Sequence, residues 1–209
     1  MTMRTFLLAA IITSILAVFF EGYIVFRNLK NKLHAYLFLN CISMLVSNTG
    51  YLLQLLSKAE DAHIAALKFS YAGRVWIVFS LFMFTAELLH IRIPRYLTGL
   101  MLLVNASVYA VIFTLEEHTL YYSKIWFDKT GMFPVLLHRN GIVHEIFMQY
   151  QAVVIAIVLI FMIRSIKSHK GKIARKRVFI ILIGFFISAS LYIMQIAHAF
   201  SPHITLIFP

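Results

Sequence analysis

Six long apolar stretches dominate the sequence, and each can cross a lipid bilayer as a helix. A membrane helix needs about 20 apolar residues to cross roughly 30 Å of hydrocarbon. Of the 209 residues, 61% are hydrophobic and only 13% are charged. No stretch shows the two-residue alternation that membrane strands require. The sequence therefore predicts an all-α, polytopic transmembrane helical bundle with spans at residues 5–26, 33–56, 67–88, 96–115, 142–163 and 178–200.

The distribution of basic residues predicts how the bundle is oriented. Short cytoplasmic loops of membrane proteins are enriched in Lys and Arg. The connections after the first, third and fifth spans together carry twelve basic residues and no acidic one. The opposite loops contain both signs of charge. We therefore predict that the N-terminus is outside and that residues 164–177 form a basic cytoplasmic loop.

The same orientation has a consequence for the C-terminal end. Six spans that begin outside also end outside, so residues 201–209 would lie at the outer surface. Residues 204–209 have the composition of the approach to another apolar segment. We therefore expect a seventh helix beyond Pro209, followed by a cytoplasmic output module.

Polar side chains in the outer half of the spans mark a candidate site. Such groups are costly in hydrocarbon and by default face the bundle interior. Arg74 needs a partner in a medium of low dielectric constant, and Glu145 is the candidate. The set can form a ligand pocket open to the outside, or a structural network that joins the helices. Its members are Tyr51, Gln54, Tyr71, Arg74, Asn105, Glu145, Gln149 and Gln195.

The long connection at residues 116–141 is rich in aromatic side chains. Amphipathic rings are favourable at the headgroup interface. The segment is therefore either an interfacial belt that rests on lipid or a cap over an outer pocket.

No catalytic pattern accompanies these features. Cys41 is the single cysteine, and the nine histidines lack metal-ligand spacing. Phosphate-binding glycine loops and hydrolase or metalloprotease motifs are absent from the sequence. The net charge of +11 does not indicate nucleic-acid binding, because no aromatics interleave with the basic loop. We expect no enzymatic activity, cofactor or metal, and membrane lipids as partners.

Six short segments, in order and with similar spacing, carry a resemblance to a known family. They are residues 48–55, 69–73, 104–106, 141–144 with Tyr150, 175–177 and 201–205. In these segments the chain resembles the N-terminal seven-helix membrane region of bacterial sensor histidine kinases, which also precedes diguanylate cyclases.

The resemblance implies that residues 1–209 are a transmembrane sensor domain in the bacterial inner membrane. Such a domain detects an extracellular or membrane-borne small ligand and relays it to a cytoplasmic effector, typically as a homodimer of the full-length protein. Two other classes stay open from the residues alone. A small transporter would use the polar set as a substrate site, and a structural membrane subunit would use it for packing.

Overall fold

The computed structural model describes residues 3–168, and this part of the chain is mostly helical. Five helices, each long and apolar enough to cross a membrane, are joined by short connections and one hairpin. In chain order the elements are α1 (Met3–Arg27), α2 (Lys32–Leu56), α3 (Glu60–Leu88), α4 (Arg95–Phe113), β1 (Tyr122–Asp128), β2 (Val135–Asn140) and α5 (Ile142–Ser168). The predicted sixth span, most of the basic loop and Gln195 lie outside the described residues.

The helix bounds differ from the predicted spans mainly at the start of α3. This helix begins at Glu60 rather than at residue 67. Glu60 and Asp61 occupy its first turn, where carboxylates interact favourably with the helix dipole. The helix therefore extends beyond the apolar stretch from which the span was predicted.

The structure corrects the all-α prediction between α4 and α5. Here β1 and β2 form an antiparallel hairpin in which Tyr122 pairs with Asn140 and Asp128 pairs with Val135. β1 is rich in the β-branched and aromatic residues that favour strands, and Gly131 lies in the connecting turn. The segment predicted as a loop is thus a folded element.

Helices α2 and α3 are in backbone contact through small residues. A Cβ atom added at Gly73 would lie 2.2 Å from the carbonyl oxygen of Ser43, and one at Gly50 would lie 2.5 Å from Cα of Ser70. The Ser70 hydroxyl donates a hydrogen bond to the carbonyl oxygen of Ser47 (3.0 Å). Small residues of this kind let membrane helices approach closely.

A polar contact continues the α2–α3 interface away from the hairpin. The side-chain amide nitrogen Nδ2 of Asn40 donates to Ser80 Oγ (2.9 Å) and to the carbonyl oxygen of Ile77 (3.2 Å). The two helices are therefore joined along most of their length by close packing and by hydrogen bonds.

Helix α3 is the centre of the described bundle, because it contacts α2, α4 and α5. The apolar core of the bundle lies in two layers. The layer nearest the hairpin contains Tyr71, Val75 and Ile112, and the layer farther away contains Phe79 and Met101. Helix α1 packs on α2, and most of its large apolar side chains are exposed, which suits a helix in contact with lipid.

We predict that Gly73→Ala destabilises the bundle. The added methyl group would overlap the α2 backbone, and overpacking of this kind costs about 1–3 kcal/mol. The measurement is thermal unfolding of the purified protein in detergent. Gly99→Ala is the matched control, since no atom of another element in the described part of the chain lies within 4 Å of a Cβ added there. An equal loss of stability in both variants would contradict the close contact at Gly73.

Candidate functional site

The hairpin covers one end of the helical bundle, which we call the hairpin end. Tyr121 and Tyr122 are almost fully buried, and Leu136 is buried beside them. All three belong to one cluster with apolar residues of α3, α4 and α5, including Ile64 and Phe147. The hairpin is therefore packed onto the helices at this end.

The turn of the hairpin reaches the other side of the bundle. Phe133 is 2% exposed and packs with Leu55 of α2 and Leu7 of α1. The guanidinium of Arg4 lies 5.5 Å from the centre of the Phe133 ring. By contrast, Trp126 on β1 is half exposed. The segment therefore packs over this end of the helices, while part of its other face stays exposed.

Beneath β1 lies a group of phenols around a guanidinium. The hydroxyls of Tyr71 and Tyr122 are 3.0 Å apart and share a hydrogen bond. The guanidinium carbon of Arg74 lies 4.7 Å from the centre of the Tyr71 ring. The Tyr71 and Tyr121 rings meet edge to face at 5.4 Å. A cation over an aromatic face gains about 0.5–2 kcal/mol.

Two histidines complete this group. His138 of β2 lies 4.0 Å from the Tyr122 ring, and His144 of α5 lies 5.0 Å from the Tyr121 ring, measured between ring centres. The two imidazoles are 6.0 Å apart. We call the six residues the Arg74 cluster, and its members are Tyr71, Arg74, Tyr121, Tyr122, His138 and His144.

Several buried polar atoms at or near the cluster have no hydrogen-bond partner in the part of the chain that the structure describes. Two belong to the cluster itself, Nε of Arg74 and Nδ1 of His144. Both side-chain polar atoms of Asn105 and the hydroxyl of Tyr150 are also unpaired. Buried polar groups normally have partners, so each exception calls for an explanation such as a bound water or ion.

The predicted site residues are only partly brought together. Tyr71 and Arg74 lie together in the cluster. Tyr51 and Gln54 lie on α2 near the turn of the hairpin, where Tyr51 packs against the pair formed by Leu55 and Phe133 and also interacts electrostatically with Arg74.

The remaining predicted residues are deeper in the bundle or exposed. Asn105 is buried on α4, between Met101 of one core layer and Val108 of the other. Glu145 and Gln149 are exposed on α5. Gln195 lies outside the described residues.

The expected ion pair between Arg74 and Glu145 is not formed. Across residues 4–165, the one salt bridge joins Lys68 on α3 to Glu116 just after α4. Glu145 lies in the first turn of α5, where the helix dipole stabilises an exposed carboxylate without a cationic partner.

Comparison with protein families identifies the chain. The family model described as the N-terminal 7TM region of histidine kinase matches residues 5–208. The chain belongs to this family. No match was found among curated proteins or among solved structures. The resemblance noted in the sequence is thereby confirmed, and with its apolar helices this 7TM region is a multi-pass membrane protein. The family is an input region and not a catalytic domain.

Sequence reasoning left Tyr121, Tyr122 and His138 out of the site of this 7TM region. Their places depend on the hairpin, and a signal for the hairpin exists. Two runs rich in apolar and aromatic residues flank a turn that contains Gly131 and Pro134, which is a hairpin pattern.

The cluster also sets the ionisation of the groups on the hairpin. Burial raises the pKa of the Tyr121 and Tyr122 phenols well above their usual value, so both are neutral at physiological pH. The His138 side chain is partly exposed, but its contact with the Tyr122 ring desolvates it and lowers its pKa, and the positive charge of Arg74 lowers it further. The docked hairpin therefore favours neutral His138.

We predict that docking of the hairpin weakens as the pH falls below about 6.5. A released hairpin takes up a proton at the ordinary histidine pKa of about 6.5, whereas the docked one resists protonation until a lower pH. The stability that neutral His138 contributes is thus present above pH 6.5 and lost on acidification. The measurement is the unfolding midpoint in detergent at pH 7.5 and pH 5.0.

His138→Gln should reduce the loss of stability between these pH values. His90→Asn is the control, because His90 lies between α3 and α4, outside the hairpin and the Arg74 cluster, and its positive φ of 56° is a conformation that Asn tolerates. The loss in this control should match that of the unmodified protein. If His138→Gln loses as much stability between pH 7.5 and pH 5.0 as the unmodified protein does, His138 is not the group responsible.

Proposed function

We propose that this chain is the sensing module of a bacterial histidine kinase or a related signalling protein, in which a stimulus acts at the hairpin end. The hairpin end faces the outside of the inner membrane, and the response passes to a cytoplasmic effector. Membership of an input-region family supports the general role. The Arg74 cluster, with its unpaired polar atoms under a packed cap, is the observation that supports this location.

The proposed ligand set starts from the cluster and extends to the polar residues predicted from the sequence. Tyr71 and Arg74 are its centre, and Tyr122 and His144 join them because of their contacts. The other members of the set are Tyr51, Gln54, Asn105, Glu145, Gln149 and Gln195. In a homodimer of the full-length protein, each protomer would carry one such site.

The hairpin contacts allow a local event to act on the whole bundle. Tyr122 packs with α3 and α5, while Phe133 packs with α1 and α2. A ligand that binds one hairpin position more tightly than another shifts the equilibrium by that difference in affinity. The change therefore reaches both sides of the bundle.

The two sides of α3 differ in how they can respond. The α2 side is fixed by backbone contact at Gly50 and Gly73. The α4–α5 side is packed by flexible apolar side chains such as Met83, Met101 and Met162, which adapt to small shifts. We propose that α5 moves against the α2–α3 pair. Helix α3 has 29 residues and is about 43 Å long, so it runs from the hairpin end to the opposite end of the bundle.

The test measures effector output from the full-length gene product in membrane vesicles. Arg74→Gln should change basal autophosphorylation about tenfold or more, because hydrogen bonds and contacts of a charged group are worth about 1.5–3 kcal/mol. Lys124→Gln removes an exposed positive charge from the same hairpin and should leave output unchanged. Unchanged output from a folded Arg74→Gln protein, or solute flux through vesicles carrying this chain, would contradict the proposal.

A further inference from the structure

Arg74 carries a positive charge for which the chain offers no negative partner. The sequence contains eight acidic residues, and all lie within the described range. In that range the one salt bridge is between Lys68 and Glu116. The groups that act electrostatically on Arg74 are phenols of the cluster, including Tyr71 and Tyr122, and not carboxylates.

Arg74 is partly shielded from solvent, and a guanidinium that loses hydration without gaining a counter-charge is unfavourable in a membrane protein. The contact with the Tyr71 ring offsets part of this loss. It does not satisfy Nε, which is buried and has no acceptor among the described residues. Among the described residues Arg74 therefore has room for a negative partner at Nε, which a bound anion could supply.

The rest of the cluster supplies hydrogen-bond donors. The Tyr71 hydroxyl is at the centre of these groups, since it shares a hydrogen bond with Tyr122 and also interacts with Tyr121 and Arg74. Nδ1 of His144 is buried without a partner in the described part and can donate in one tautomer. A guanidinium, a phenol and an imidazole are the donors by which proteins bind anions.

The packing limits the size of the ligand. The rings of Tyr121 and Tyr122 are 4.8 Å apart, and those of Tyr122 and His138 are 4.0 Å apart. Phe133 holds the far end of the hairpin against α1 and α2. With the hairpin docked, these close ring contacts exclude a large ligand, so only an anion of a few heavy atoms is compatible with the packing.

We propose that the Arg74 cluster binds a small monovalent anion, either a halide or a small carboxylate, between Arg74, His144 and the phenols under the docked hairpin. The proposal rests on the proposed function in taking this cluster as the stimulus site. The anion supplies the missing counter-charge and stabilises the docked hairpin, so its concentration sets the position of the hairpin.

The experiment uses the 209-residue chain in lipid nanodiscs, with sodium sulfate as the background at constant ionic strength. Sodium chloride, sodium formate and sodium acetate are titrated separately, and the unfolding midpoint is followed. Ligand binding to the folded state raises the midpoint in a saturable way. A rise with chloride alone identifies a halide site, and a rise with formate or acetate alone identifies a carboxylate site.

Two variants and one control complete the test. Arg74→Gln should abolish the saturable rise, and Arg74→Lys, which keeps the charge but loses Nε, should weaken apparent affinity about tenfold or more. Lys124→Gln should behave as the unmodified protein does. The proposal is overturned if no anion gives a saturable rise, or if the rise persists in Arg74→Gln. Since this readout needs no effector, anion binding without any change in kinase output would overturn only the proposed function.

Discussion

Backbone contact between α2 and α3 determines where the polar groups of this bundle can lie. Ser70 and Gly73 are one turn apart and face α2, where no larger side chain fits at Gly73. Tyr71 and Arg74 follow each of them by one residue, so they share a neighbouring face of α3. A single rigid interface thus directs a phenol and a guanidinium towards α4, α5 and the hairpin.

The hairpin exists at the end where these groups would otherwise meet lipid headgroups or water. Its buried face carries Tyr121, Tyr122 and Leu136, which extend the apolar core over the end of the helices. Two hydroxyls are brought in with them, those of Tyr121 and Tyr122, and the Tyr122 hydroxyl bonds to Tyr71. The cap therefore protects the cluster and also forms part of it.

The sequence predicted those features that depend on long apolar runs and missed those that depend on distant contacts. The five described helices followed from hydrophobicity, and the placement of Tyr71 and Arg74 inside the bundle followed from the cost of polar groups in lipid. Tyr122 lies 51 residues from its partner Tyr71, and strand register decides that contact. The pairing of Arg74 with Glu145 was wrong because opposite charge alone does not fix which side of α5 a residue occupies.

The hairpin also makes a graded response unfavourable. Tyr122 and Phe133 belong to one short two-stranded element, yet they pack on opposite sides of the bundle. Because an isolated two-stranded hairpin is marginal in water, it depends on both contacts for its own order. Under the proposed function, loss of one contact would weaken the other, so docked and released positions would behave as alternatives. A bistable element of this kind would turn a small change at one site into a discrete movement.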